Sequence, residues 1–117
     1  LCDLPRAIGL TDSDPYHEVV RFLAVHRGRE AEVMRTLSYV DNVGLVRTAN
    51  APALFAAALH DTICPPSTVF AAFNHYGALA PTPPAKRIEV FGHNHHEGGE
   101  GYFVRAQLDF LREHLGQ

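Results

Sequence analysis

Apolar residues fall at Tyr16, Val19, Val20, Leu23 and Ala24, the three-and-four spacing that gathers one side of an α-helix. Thr11, Ser13 or Asp14 can cap this segment, Pro15 suits its first position, Glu18 suits its first turn, and Gly28 follows its end. The spacing therefore predicts a helix within residues 11–28. A shorter period from about Glu30 to Tyr39, with Val33, Met34 and Leu37 on one side, makes the pair a helical hairpin. Asp41-Asn42 and Thr48-Ala49-Asn50 read as loops, with one helical turn across residues 43–47 between them. Residues 52–60 form an unbroken apolar run. Its alanines would suit a helix, but its length and the abrupt Asp-Thr-Ile-Cys-Pro-Pro ending favour a strand buried on both faces. Pro65 or Pro66 then opens a helix that ends between His75 and Gly77, and a Pro-rich connection covers residues 80–85. Residues 87–91 alternate at period two and read as a second strand, residues 92–101 as a Gly and His loop, and residues 102–115 as a helix. On that last helix Phe103, Val104, Leu108, Phe110 and Leu111 are expected to form a broad buried face. The order helix, helix, strand, helix, strand, helix predicts an α/β layered sandwich with a parallel sheet, although two strands alone are too few to stand independently.

Composition narrows the classes of function. The chain has 117 residues, 46% of them hydrophobic and 20% charged, with a net charge of −3, which fits one globular unit. It contains no apolar stretch long enough to span a membrane and no visible secretion signal. Lys and Arg are scattered, so no electrostatic footprint for nucleic acid is expected. Cys2 and Cys64 lack metal-type or redox-type spacing and read as reduced thiols, which suggests a reducing, cytoplasmic setting. No cofactor is implied.

Both loops that follow the expected strands carry candidate chemistry, in the position where open α/β sheets build their sites. The first offers Asp61. The second offers His93, His95, His96 and Glu97, ahead of Gly98 and Gly99. An acid after one strand and a histidine after a later one is the chain order of the second half of a Ser-Asp-His triad in α/β-hydrolases. The imidazole would take the serine proton, and the carboxylate would hold its tautomer. Three other readings stay open on spacing alone: Asp61 as a loop residue or cap, the histidines as a solvated loop, and a metal site. In the last, His93 and His95 would share one face of an extended segment, with Asp61 or Glu97 completing the shell.

The strings Leu37-Ser38-Tyr39, His60-Asp61-Thr62-Ile63-Cys64-Pro65-Pro66-Ser67-Thr68 and Asn94-His95-His96-Glu97-Gly98-Gly99 resemble the acetyl xylan esterase and cephalosporin C deacetylase family. The opening residues 1–6 and 10–16 look like the same family, just after its nucleophile-bearing region. The resemblance implies the C-terminal part of an α/β-hydrolase three-layer sandwich with a mainly parallel sheet. It also implies a serine esterase that removes acetyl groups from acetylated xylo-oligosaccharides and cephalosporin C. Carried over by position, Asp61 is the triad acid and His96 the triad base, with His95 a neighbour. Gly92 and His93 replace what are commonly Pro and an aromatic residue, and residues 78–84 lengthen the loop before the second strand. The resemblance further suggests a homo-oligomer in the intact protein.

The sequence contains three serines, Ser13, Ser38 and Ser67, and none stands in a Gly-x-Ser-x-Gly elbow. Residues 1–117 are thus expected to be the C-terminal portion of one α/β-hydrolase domain whose nucleophile and oxyanion-hole donors precede Leu1. Alone they should be inactive and prone to associate. The competing expectation is a non-catalytic remnant of the same fold that serves as an interaction module.

Overall fold

A computed structural model describes residues 1–116. Eight regular elements follow one another: α1 (Leu4–Leu10), α2 (Tyr16–Val25), α3 (Glu30–Ser38), α4 (Asn42–Leu45), β1 (Ala53–Ala58), α5 (Pro66–His75), β2 (Lys86–Phe91) and α6 (Tyr102–Leu115). Single 3₁₀ turns at Arg27–Arg29 and Val46–Thr48 join α2 to α3 and follow α4. β1 and β2 pair in parallel, in unbroken register from Ala53 opposite Lys86 to Ala58 opposite Phe91. The expected order of helices and strands is present, together with one helix that the local signals did not indicate.

That extra helix, α1, begins after Asp3, whose own side chain does not cap it. Its cap comes from 37 residues away. The buried carboxylate of Asp41 accepts from the backbone N–H of Asp3 (2.9 Å), Leu4 (2.7 Å) and Val43 (2.9 Å), closing the N-termini of α1 and α4 at once. Leu4 and Ala7 of α1 then pack with Tyr16 of α2 into the main buried cluster, flanked by Ile8 and Leu37. Pro15 stands just before α2 rather than at its first helical position.

A second anchor ties α5 to the sheet. Lys86 Nζ, at the start of β2, donates to the carbonyls of Phe73 (2.6 Å), Asn74 (3.3 Å) and Tyr76 (3.2 Å) and lies 4.9 Å from the Phe73 ring centre. A cation there meets the carbonyls at the C-terminus of α5, the negative end of the helix dipole.

The burial expected on both faces of the first strand and along α6 is not found. Within β1 only Ala57 and Ala58 are buried, and no residue of α6 is, with Val104, Leu108 and Leu111 about half exposed. With two strands, the sheet offers α6 a narrow surface: part of β1, and on β2 the Phe91 ring against Phe103 and Arg87 beside Phe110 and Glu113. The overall shape agrees: 55 × 36 × 16 Å, with a radius of gyration of 16.2 Å against about 13 Å for a compact chain of this length. Its accessible surface of 7731 Å² likewise exceeds the roughly 6,300 Å² expected of a compact monomer of 12.9 kDa.

Candidate active site

The two parallel strands end side by side, and their pairing continues past the regular sheet. Leu59 N–H donates to the Phe91 carbonyl (2.9 Å) and His60 N–H to the Asn94 carbonyl (3.1 Å). The loop carrying Asp61 is thereby zipped to the loop carrying His96. His95 adds a clasp through Nδ1, 2.9 Å from the His60 carbonyl. A carbonyl only accepts, so this contact places the His95 proton on Nδ1.

Asp61 is held by its own turn. Oδ1 accepts from the backbone N–H groups of Ile63 (2.9 Å) and Cys64 (2.7 Å), an Asx turn that fixes the plane of the carboxylate. The Thr11 and Ser13 hydroxyls both donate to the Thr62 carbonyl, so the connection between α1 and α2 braces the turn from behind. Thr68, 2% exposed, donates from Oγ1 to the Pro65 carbonyl (2.7 Å) and fixes the exit into α5. With Oδ1 committed, Oδ2 faces His96, whose Nδ1 lies 3.0 Å away. A carboxylate only accepts, so the His96 proton sits on Nδ1 and the Nε2 lone pair is free. The Asp61 side chain is 11% exposed and the His96 ring 54%. The acid is recessed and the imidazole opens to solvent.

The loop around His96 is shaped by Glu97, which accepts from Asn94 Nδ2 (2.7 Å) and from the His95 backbone N–H (3.0 Å). These bonds, the Asn94 amide foremost, hold the Glu97 carboxyl below its ordinary titration range. Beyond it Gly98, Gly99, Glu100 and Gly101 all have φ between +47° and +90°, which explains the three glycines in four positions. At Gly99 a Cβ would lie 2.6 Å from the Phe91 ring, which in turn packs edge-on against Phe103.

Of the candidates from the sequence, the structure brings Asp61 and His96 together. His93 lies in a turn and His95 two residues on, neither on a strand, and they flank His60 with ring centres 6.5 and 5.8 Å from it. The ligand set imagined for them with Asp61 or Glu97 does not form. Among the described residues, the group whose ligand atoms converge is Asp61, Cys64 and His96. Cys64 was not singled out from sequence, although its place three residues after Asp61 is the signal, because an Asx turn folds those two positions together. Tyr16, expected on the apolar side of its helix, is buried at 2% exposed and also lies under the site. Its hydroxyl titrates at about 12, raised first by burial and then by Cys64, with smaller contributions from Cys2 and Asp61. Burial similarly pushes the Cys2 thiol up.

Two of the three serines donate to backbone carbonyls. Ser13 bonds to Thr62, Ser38 donates to the Arg35 carbonyl (2.7 Å), and Ser67 lies in the first turn of α5, lining an open cleft of about 510 Å³ beside Asp61.

Comparison with known proteins supplies a context for this geometry. The family model described as acetyl xylan esterase (AXE1) matches residues 1–114. The solved structure of an acetyl xylan esterase from Paenibacillus sp. R4 is 31% identical, with a TM-score of 0.86 over 98% of this chain and 35% of that one. Acetyl xylan esterase 1 from Thermoanaerobacterium sp. JW/SL YS485 is 29% identical, with a TM-score of 0.83 and the same coverages. The fold is therefore of α/β-hydrolase type, and the chain spans about a third of the length of these structures.

Proposed function

Because this chain belongs to the acetyl xylan esterase family, we propose that it carries the acid and base of a serine esterase, Asp61 and His96, and acts on acetylated carbohydrates. The observation that carries the reading is the 3.0 Å contact between Asp61 Oδ2 and His96 Nδ1, formed by two loops at the ends of adjacent parallel strands. With its proton held on Nδ1, the His96 ring presents Nε2 to solvent. There it takes the proton of an attacking serine hydroxyl and later returns it to the leaving sugar oxygen. The Asp61 charge stabilises the imidazolium formed between those steps, and the Asx turn keeps Asp61 from swinging toward solvent.

The nucleophile in this proposal is a serine outside these 117 residues, since none of Ser13, Ser38 and Ser67 stands in a strand-to-helix elbow. Acetylated xylo-oligosaccharides are the proposed natural substrate, with the acetoxymethyl ester of cephalosporin C as a second. The intact protein is proposed to assemble as a homo-oligomer in the cytoplasm.

The test is steady-state hydrolysis of acetylated xylo-oligosaccharide by these residues in continuity with the nucleophile-bearing segment. His96→Ala should lower kcat by several powers of ten with KM little changed. Turnover that survives His96→Ala removes His96 as the base.

A further inference from the structure

The Asx turn that aims Asp61 at His96 has a second product. Because Cys64 N–H is one of the two donors to Oδ1, the turn folds the Cys64 side chain back beside the same carboxylate. One oxygen of Asp61, the sulfur of Cys64 and a ring nitrogen of His96 all lie within 4.8 Å of one another, from a part-buried acid, a part-buried thiol and an exposed ring. We propose that these three side chains form a binding site for a thiophilic divalent cation of the zinc class, and that occupancy switches the Asp61–His96 pair off.

The chemistry of the donors fits. Zinc bonds of about 2.0–2.3 Å at tetrahedral angles put neighbouring ligand atoms roughly 3.3–3.8 Å apart, so closure needs shifts of about an ångström. The half-exposed His96 ring can supply that movement. A carboxylate, a thiolate and an imidazole make a mixed set that suits zinc or cobalt better than magnesium or calcium, and solvent provides the fourth ligand. Oδ1 keeps its two backbone donors throughout and anchors the first ligand.

The consequence for the pair follows from proton bookkeeping. The nitrogen facing Asp61 is Nδ1, which carries the proton in the metal-free state. A cation on Nδ1 displaces the proton held there, the neutral ring carries its one proton on Nε2 instead, and the Cys64 thiol releases its proton to solvent. Nε2 is then an N–H and cannot accept a proton. The loss of ester hydrolysis rests on the function proposed above; binding of the cation does not.

The experiment is a titration of the protein with cobalt(II), followed by displacement with zinc. One equivalent should bind with sulfur-to-cobalt charge-transfer absorption. Cys64→Ser should abolish that absorption, and both Cys64→Ser and His96→Ala should weaken zinc binding by roughly tenfold or more, while His93→Ala binds as the unaltered protein does. Absence of the charge-transfer band, or zinc affinity unmoved by Cys64→Ser, overturns the proposal, as does affinity lost in His93→Ala. A second measurement needs no variant: in the unaltered protein, zinc should slow iodoacetamide alkylation of Cys64 far more than that of Cys2. Equal slowing of the two thiols contradicts the site. Inhibition of acetyl ester turnover by micromolar zinc, relieved in Cys64→Ser, is read separately, on these residues in continuity with the nucleophile-bearing segment. If binding holds but turnover is unaffected, the switch fails and the cation site stands; if no turnover exists at all, the function proposed above fails.

Discussion

Oδ2 of Asp61 and Nδ1 of His96 meet at 3.0 Å across 35 residues of sequence, and every other bond around them limits where the two can go. Asp61 is fixed by two backbone donors on its other oxygen, and the His96 loop is tied down through Asn94, His95 and Glu97. Preorganisation of this kind lets a weak base act at neutral pH without reorganising at each turnover.

Asp61→Asn should leave the fold intact and abolish the proton-transfer role. The amide oxygen can still accept from Ile63 and Cys64, but the NH₂ then faces Nδ1, which must become an acceptor and places the ring proton on Nε2. In triads of this type the wrong tautomer lowers kcat by about 10⁴. Proton NMR provides the structural check: a low-field Nδ1–H resonance should be present in the parent and absent in Asp61→Asn.

Asp41→Ala should be among the most destabilising single changes in the helical half. Three backbone donors lose a buried charged acceptor and two helices lose their N-cap, at a cost of about 2–4 kcal/mol. Thermal melts should show a clear fall in Tm, with a smaller fall for Asp41→Asn.

Gly98→Ala and Gly99→Ala should differ. Both have positive φ, but a Cβ at Gly98 meets open space, while at Gly99 it overlaps the Phe91 ring. The first should cost roughly 1 kcal/mol of backbone strain. The second adds a steric overlap of the overpacking kind, about 1–3 kcal/mol more. Denaturant midpoints measured side by side test the difference, and equal losses would mean that Phe91 moves aside freely.

Tyr16 gives a pH dependence with a definite sign. Its titration in the folded state is raised from 10.0 to about 12, so the folded chain holds this proton more tightly than the unfolded chain. The resulting stability is fully present below pH 10 and is lost as pH rises from 10 through about 12. Ultraviolet tyrosinate absorbance should show one late-titrating tyrosine that disappears in Tyr16→Phe, and that variant should lose less stability between these pH values than the parent.

Most of the chain was legible from local pattern because its elements are locally encoded. The period of α2, the proline opening of α5 and the alternation of β2 each need only their own residues. α1 was not legible, because its cap is Asp41, which only the folded chain brings to it. The overestimated burial of α6 has the opposite cause: Val104, Leu108 and Leu111 carry the spacing of a buried face, but a two-stranded sheet gives that face little to pack against. At the site, the order of acid and histidine along the chain pointed to Asp61, and the His-Glu-Gly-Gly string singled out His96 among three neighbouring histidines. Cys64 and the brace from Thr11 and Ser13 were not visible, since each depends on a turn or a contact spanning distant segments.

The most direct measurement is an acetyl ester assay on two samples, this chain alone and this chain mixed with the nucleophile-bearing segment of a related esterase. The chain alone should give no turnover, and the mixture should give turnover that disappears with Asp61→Asn or His96→Ala. A folded chain that stays silent in the mixture, or a mixture whose activity survives His96→Ala, would contradict the assignment of Asp61 and His96 as the acid and base of an esterase.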